Sequence, residues 1–234
     1  MAPRINLITE PTVTLLSYTP NPELTVATAA RICYSHDSIA HLNETLTDKQ
    51  VEHLINIIIK NGHGTPLEHA TFTFGVDGIS RAATHQLVRH RLASFDEKSQ
   101  RYVRFDDGID VIVPPSVAEH DFTMQRFKES QQRAFEDYRY LVENGIEPED
   151  ARYVLTHAGV SNIVMSMNAR QWRHVLSLRC CNRAQWEIRR LMWIIRDQLI
   201  EKAPLLFADS GPGCVRGACP EGSMSCGNPY PRIK

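Results

Sequence analysis

Long apolar runs are missing from this sequence, and neither sign of charge is in clear excess. The densest apolar stretches, Leu54 to Ile59 and Leu191 to Ile195, are far shorter than the roughly 20 residues that cross a bilayer as a helix. No basic leader with a following apolar run opens the sequence, so we expect a cytoplasmic protein with no membrane partner. The 26 basic and 27 acidic side chains give a net charge of −1, and such a chain has no general attraction for nucleic acid.

The sequence also lacks a Gly-x-Gly-x-x-Gly segment after a predicted strand, which argues against dinucleotide binding of the Rossmann type. It contains no internal repeat and no low-complexity segment. A hydrophobic content of 42% and a charged content of 23% are ordinary for a globular protein, and 234 residues suffice for one large core. We predict one domain over residues 1–207 and a Cys-, Gly- and Pro-rich tail over residues 208–234.

Hydrophobic periodicity predicts both helices and strands. Thr47 precedes an amphipathic run from Asp48 to Asn61, so this run is predicted to be a capped helix. Apolar residues alternate with threonines from Ala70 to Val76, which predicts a half-buried strand. Further strands are predicted at 13–18, 111–113 and 162–167, and further helices at 23–33, 81–91 after Ser80, 116–144, 149–155, 169–180 after Asn168, and 184–202.

The last predicted helix is apolar on more than one side. Trp186, Trp193 and Ile194 lie off the stripe formed by Ile188, Leu191 and the residues that follow it at helical spacing. Such a helix is either deeply buried or packed against a partner subunit, so we expect an oligomer.

Basic side chains form two clusters in this otherwise neutral chain, which suggests a compact anionic ligand. The first comprises Arg81, Arg89, His90, Arg91, Lys98, Arg101 and Arg104, and the second Arg170, Arg173, His174, Arg179 and Arg183. A helix C-terminus also favours cations, and this alone would explain Arg89 to Arg91. Guanidinium groups bind phosphate bidentately, so an enzyme for a nucleotide and a nucleic-acid-binding module both remain open.

The segment Arg89-His90-Arg91, followed by Ser99 after seven intervening residues, resembles the signature of the flavin-dependent thymidylate synthases, the ThyX family. The resemblance extends from about Ala29 to Phe207 and includes, in the family order, His63 to His69, Ala151-Arg152, Asn168 to Arg170, Leu178-Arg179 and Ala184 to Arg189. Two positions depart from the family pattern, because Asp96 stands where asparagine is more usual and Gln100 where a small residue is common.

The resemblance implies an α/β fold with a central, mainly antiparallel sheet packed by long helices. It also implies a homotetramer whose sites are shared between subunits. The implied reaction is the methylation of dUMP to dTMP in de novo dTMP biosynthesis. In it, 5,10-methylenetetrahydrofolate supplies the carbon and NADPH reduces an FAD cofactor that carries the hydride. A flavoprotein acting on another nucleotide is the alternative.

The family's functional positions are carried over where this sequence matches them. Flavin contacts are implied for Thr65, Arg89, His90, Arg91, Glu97, Asn168, Ala169, Arg170 and His174. Contacts to dUMP are implied for Gln86, Leu87, Val88, Arg89, Glu97, Lys98, Ser99, Gln100, Arg101, Arg152 and Arg179. Arg179 is the predicted catalytic residue, because a guanidinium beside the uracil imide would stabilise negative charge there and make C5 more nucleophilic.

A metal site and a cysteine nucleophile are alternatives to this assignment. His63, Glu68 and His69 fit neither of the common zinc-protease motifs, and no metal is predicted. In the tail, Cys214, Cys219 and Cys226 offer three ligands, so a zinc or cluster site would need a fourth from elsewhere. Cys180 or Cys181 would be the nucleophile of a flavin-independent route, but buried and inert thiols are the preferred interpretation.

Overall fold

The computed structural model describes residues 4–106 and 108–232, so the two last residues of the predicted tail lie outside the described range. The strands are β1 (Arg4–Ile8), β2 (Thr12–Tyr18), β3 (Thr71–Ser80), β4 (Ser94–Glu97), β5 (Gly108–Ile112) and β6 (Val160–Asn168). The helices are α1 (Pro22–Arg31), α2 (Ile39–Thr45), α3 (Asp48–Lys60), α4 (Arg81–Leu87), α5 (Pro115–Ala118), α6 (Asp121–Glu143), α7 (Pro148–Ala151), α8 (Ala169–Arg179), α9 (Trp186–Lys202) and α10 (Pro204–Phe207).

Four strands form an antiparallel sheet in the order β2-β3-β6-β4. At one end of the β3-β6 pair the backbone N–H of Arg81 donates to the carbonyl of Gly159 over 3.1 Å, and at the other the N–H of Ala169 donates to Ala70 over 2.7 Å. These crossed partners define antiparallel pairing. The predicted α/β fold with an antiparallel sheet is confirmed. A separate parallel pair, β1 with β5, was not predicted from the sequence.

Two compact units can be distinguished, and the chain passes between them several times. The first contains the described parts of Met1–Thr12, Gly75–Arg89 and Phe95–Val164. The second contains Val13–Phe74, His90–Ser94 and the described part of Met165–Lys234. Because β3, β4 and β6 each contribute residues to both units, neither unit is a continuous stretch of sequence.

The core of the first unit lies between β5 and α6. Ile109 and Val111 of β5 pack with Phe135 and Tyr138 of α6 and with Ala151 of α7, and all five are at most 5% exposed. Their spacing in the sequence explains why these side chains share one core, since alternate residues of a strand and residues three apart in a helix face the same side. Burying each of the larger side chains contributes roughly 1.5–3 kcal/mol to folding.

Aromatic side chains fill the core of the second unit. Phe74 lies edge-on to Trp172 of α8, with ring centroids 5.2 Å apart, and Phe72 meets Phe207 in the same way at 5.3 Å. The indole N–H of Trp172 donates to the carbonyl of Phe72 over 3.1 Å, so this buried polar group is satisfied. The contacts fix α8, and with it Arg179 at the C-terminal end of that helix.

Three predicted helices differ from those observed, and one of them, predicted over 149–155, is only the four-residue α7 followed by the 3-10 turn Arg152–Val154. Helix α4 ends at Leu87 instead of Arg91, so Arg89 to Arg91 lie in a turn beyond it. The long predicted helix from Ser116 is divided, because His120 is extended and α6 begins anew at Asp121, whose carboxylate suits a helix N-terminus.

No helix within residues 4–106 and 108–232 is both long enough and apolar enough to cross a bilayer.

Candidate active site

The predicted catalytic arginine is bound to the central histidine of the Arg-His-Arg segment. The Nε–H of Arg179 donates to Nε2 of His90 over 2.9 Å, and both residues belong to the second unit. Because a guanidinium has only donors, Nε2 of His90 must be unprotonated in this contact. The bond occupies Nε and leaves the terminal nitrogens of Arg179 for a ligand.

The protonation of His90 follows from its surroundings. Its side chain is buried, and burial together with the charges of Arg179 and His174 lowers its pKa from 6.5 to about 4. The ring of His174 lies 6.5 Å from that of His90 at a steep angle. Burial also lowers the pKa of Arg179, which nevertheless keeps its charge at neutral pH. A neutral histidine therefore orients a charged guanidinium.

This arrangement makes stability depend on pH. Because the pKa of His90 is lower in the folded protein than in the unfolded chain, the unfolded chain binds more protons between pH 6.5 and about 4. Stability present above pH 6.5 is therefore lost as the pH falls. At 1.36 kcal/mol per pKa unit, we expect the titration of His90 to lower the free energy of unfolding of the wild type by about 2 kcal/mol between pH 7 and pH 4.5.

Urea unfolding of the wild type and of His90→Gln at both pH values tests this expectation. Glutamine cannot titrate, so the other ionisable groups cancel in the difference between the two proteins. The stability advantage of the wild type over the variant should shrink by about 2 kcal/mol at the lower pH. An advantage that is the same at both pH values would disprove the neutral, buried state of His90.

A cavity of about 1210 Å³ in the second unit brings Thr65 and Arg170 together, two of the predicted flavin positions. Its walls combine apolar residues of α1 and α2 with polar groups, among them His63 and His69. Sites for large cofactors are typically apolar clefts with a few polar groups. The lining of this cavity is of that kind.

Arg170 is held at this cavity by two neighbours. Its Nη1 lies 2.6 Å from Oε1 of Glu68, and its Nε lies where a side chain on Gly64 would point. A Cβ at position 64 would come within 2.8 Å of that nitrogen, so glycine allows the guanidinium to lie against the backbone. Gly64 is also the N-cap of the short 3-10 segment Thr65–His69.

The predicted dUMP positions lie in the first unit, with the exception of Arg179. Arg101 makes an ion pair with Glu149, with Nη2 and Oε2 2.7 Å apart, while Nε of Arg152 donates to the carbonyl of Glu149 over 3.0 Å. Glu149 thus brings two of the predicted dUMP-binding arginines to one place. The Arg101–Glu149 pair is half exposed, so it contributes little to stability.

Glu97 has a structural partner as well as a predicted ligand role. Its Oε1 lies 2.8 Å from Nη1 of Arg81, and both side chains are about one-fifth exposed. Next to it the N–H of Lys98 donates to the carbonyl of Asn162, which anchors the end of β4. Glu97 is therefore fixed in orientation within the first unit.

The remaining predicted site residues lie in helix caps, helices and turns. Asn168 caps α8 through a 2.9 Å bond from the N–H of Gln171, and Ala169 is buried. Ser99 accepts a bond from the N–H of Arg101, which fits a turn-forming serine better than a nucleophile. The other positions are placed as follows: Gln86 and Leu87 on α4, Val88, Arg89 and Arg91 exposed beyond it, and Gln100 in the turn after β4.

The cysteine alternative loses support. Cys180 is buried, and burial raises the pKa of its thiol to about 12. The thiolate is the nucleophilic form, so Cys180 is inert at neutral pH. Cys181 instead lines a small cavity at the C-terminal tail.

A comparison with models of protein families shows to which family the chain belongs. The model described as "Thymidylate synthase complementing protein" matches residues 14–205. The chain belongs to this family. It is 49% identical over 216 residues to the flavin-dependent thymidylate synthase of Geobacter sulfurreducens, covering 92% of this chain and 93% of that relative. It is 42% identical over 231 residues to the enzyme of that name from Clostridium tetani, covering 92% of each.

A solved structure extends the likeness to the fold. The chain is similar to the UMP/dUMP methylase PolB from Streptomyces cacaoi bound with 5-Br dUMP, with a TM-score of 0.78 and 25% identity. The match covers 87% of this chain and 95% of that one.

Sequence reasoning missed the residues that hold the site together. Arg81, Glu149 and Glu68 each fix a predicted ligand-binding side chain, but none was assigned a role. The cavity also adds His63 and His69, which the sequence offered only as rejected metal ligands. The Arg101–Glu149 and Arg170–Glu68 contacts join residues 48 and 102 positions apart, and Glu97 and Arg81 lie in separate elements, so no local pattern indicates these contacts.

Proposed function

We propose that the protein is a flavin-dependent thymidylate synthase that methylates dUMP to dTMP in de novo dTMP biosynthesis. The observation that carries the proposal is the charged guanidinium of Arg179, which is oriented by neutral His90 and whose terminal nitrogens make no hydrogen bond to residues 4–106 and 108–232. Family membership and the names of the relatives support the same activity.

Arg179 acts on the uracil ring in this proposal. Its terminal N–H groups donate to the imide edge, where negative charge develops as C5 attacks the one-carbon unit. A preorganised donor of this kind is worth most when it does not have to reorient during the reaction. The bond to His90 supplies that preorganisation, since it fixes the guanidinium before substrate arrives.

The flavin is assigned to the second unit. Thr65 and Arg170 at the cavity, with His90, Arg91, Asn168, Ala169 and His174, would hold it, and Arg89 and Glu97 of the first unit match further flavin positions. The cavity volume and its mixed apolar and polar lining support this assignment. When bound and reduced by NADPH, FAD supplies the hydride that completes the methyl group, and 5,10-methylenetetrahydrofolate supplies the carbon.

The substrate phosphate is assigned to basic side chains of the first unit. Arg101 and Arg152, which both contact Glu149, are the guanidinium groups assigned to this phosphate. We further propose a homotetramer that shares its sites between subunits, because predicted site residues are distributed over several segments and α9 is apolar on more than one side.

Product analysis tests the proposal. Purified protein is incubated with dUMP, FAD, NADPH and methylenetetrahydrofolate labelled with heavy carbon, and the nucleotide is examined by mass spectrometry. We expect dTMP that carries the label in its methyl group. Bound flavin without dTMP would favour a flavoprotein for another nucleotide. Salt-sensitive binding of oligonucleotides, with no affinity for FAD or dUMP, would favour a nucleic-acid-binding module.

A further inference from the structure

Four cysteines from two distant parts of the chain line one small cavity in the second unit. Cys214, Cys219 and Cys226 come from the tail, and Cys181 comes from the loop between α8 and α9. The three tail cysteines lacked a fourth partner in the sequence, and the fold supplies one from more than thirty residues upstream.

We propose that Cys181, Cys214, Cys219 and Cys226 form a structural zinc site that fastens the tail to the loop after Arg179. Four cysteine thiolates are a common donor set for structural zinc, which is bound tetrahedrally. The cavity measures about 10 Å³, which is room for one sphere of atomic size.

Two neighbouring groups lie beside the cysteines. The Sγ of Cys226 accepts from the N–H of Asn228 and donates to the carbonyl of the same residue, both over 3.4 Å. The side chain of Arg183 lines the same cavity. Its positive charge would offset part of the double negative charge that four thiolates and one divalent ion carry together.

The cysteines have to turn inward to reach one ion. Among residues 4–106 and 108–232, no three His, Cys, Asp or Glu side chains converge as a ligand set. All four thiols are free, and three of the four are only partly buried. A change of χ1 rotamer redirects a cysteine Sγ without moving the backbone, so convergence needs side-chain rotation and small loop shifts.

The tail has a small apolar core. After α10 it contains only two short 3-10 turns, and Val215 is its one buried hydrophobic side chain among the described residues. Polar contacts hold it: Asp209 pairs with Arg173, and Asn182 and Arg183 of the loop donate to the carbonyls of Asn228 and Met224. The ring of Tyr230 lies 5.0 Å from that of Trp193 on α9. Segments with so small a core commonly depend on a metal or disulfide.

Metal analysis of the full-length protein tests the proposal. The protein is reduced, loaded with zinc and freed of unbound metal by gel filtration. We expect about one zinc per chain, lost in the double variant Cys219→Ser, Cys226→Ser and kept in Cys33→Ser, which changes an exposed cysteine outside the cavity. Cobalt in place of zinc should give the intense visible absorption of a tetrahedral thiolate site.

A second measurement uses the wild type, so its result does not depend on whether the double variant folds. In the wild type, zinc should protect Cys181, Cys214, Cys219 and Cys226 from alkylation, with the modified cysteines identified by peptide mass mapping, while Cys33 reacts in either case. Reduced protein that retains no zinc would overturn the proposal. So would zinc retention by the double variant equal to that of the wild type, or alkylation of all four cysteines at an unchanged rate.

Discussion

Replacing Arg179 by alanine should abolish methyl transfer while leaving flavin bound. Arg179 contributes donors to the uracil imide in this account, and His90 holds its Nε at 2.9 Å so that the remaining donors face the ligand. Loss of one preorganised donor to developing charge typically lowers kcat by about 10²–10³-fold, and loss of the whole guanidinium should cost at least that. The measurements are dTMP formation and the flavin absorbance of the purified variant.

Two further variants sharpen this prediction. Arg179→Lys keeps the charge but lacks the Nε donor that binds His90, so it should recover little activity if orientation matters. Arg139→Ala removes an arginine that pairs with Glu143 on the surface of α6, and it should behave like the wild type. Loss of flavin from Arg179→Ala would contradict the assignment of this residue to the uracil.

Replacing Arg91 by alanine should have the opposite effect, with weakened flavin binding. Arg91 is exposed beyond the end of α4, and it has no hydrogen bond or ion pair with any residue in 4–106 and 108–232. Its guanidinium is therefore available to a phosphate of the cofactor. A hydrogen bond to a charged group contributes roughly 1.5–3 kcal/mol, so the Kd for FAD should rise about 10- to 150-fold.

Arg104→Ala is the matched control for this variant. Arg104 belongs to the same basic cluster and is equally accessible, but it pairs with Asp106 and is not a predicted flavin position. Its removal should leave the Kd for FAD, measured by fluorescence quenching, unchanged. If Arg91→Ala and Arg104→Ala bind FAD as tightly as the wild type, the assignment of Arg91 to a cofactor phosphate fails.

The elements most accurately predicted from the sequence are those with local signals. Helix α3 begins after Thr47, whose N–H donates to Gln50 over 2.9 Å, and Ser80 and Asn168 cap α4 and α8 as predicted. The end of α4 was placed too late because apolar periodicity continues past Leu87, where the chain instead turns and buries His90. That turn depends on tertiary contacts, which a local pattern does not contain.

The candidate site was predicted by resemblance, and its geometry was not. Arg179 and His90 are 89 residues apart, and no spacing or periodicity indicates that they are bonded. The same holds for Cys181 and the tail cysteines, which composition presents as an incomplete ligand set. Contacts of this kind come from the order of strands and from the packing of α8 on β3, so they appear only once the chain is folded.

Release of tritium from C5-labelled dUMP tests the central claim most directly. The purified protein is supplied with FAD, NADPH and 5,10-methylenetetrahydrofolate, and each component is omitted in turn. We predict that release requires both FAD and NADPH, and that a Cys180→Ser, Cys181→Ser double variant still releases tritium. Release that persists without FAD and NADPH, and that disappears in the double variant, would contradict a flavin-dependent reaction and assign the chemistry to a cysteine.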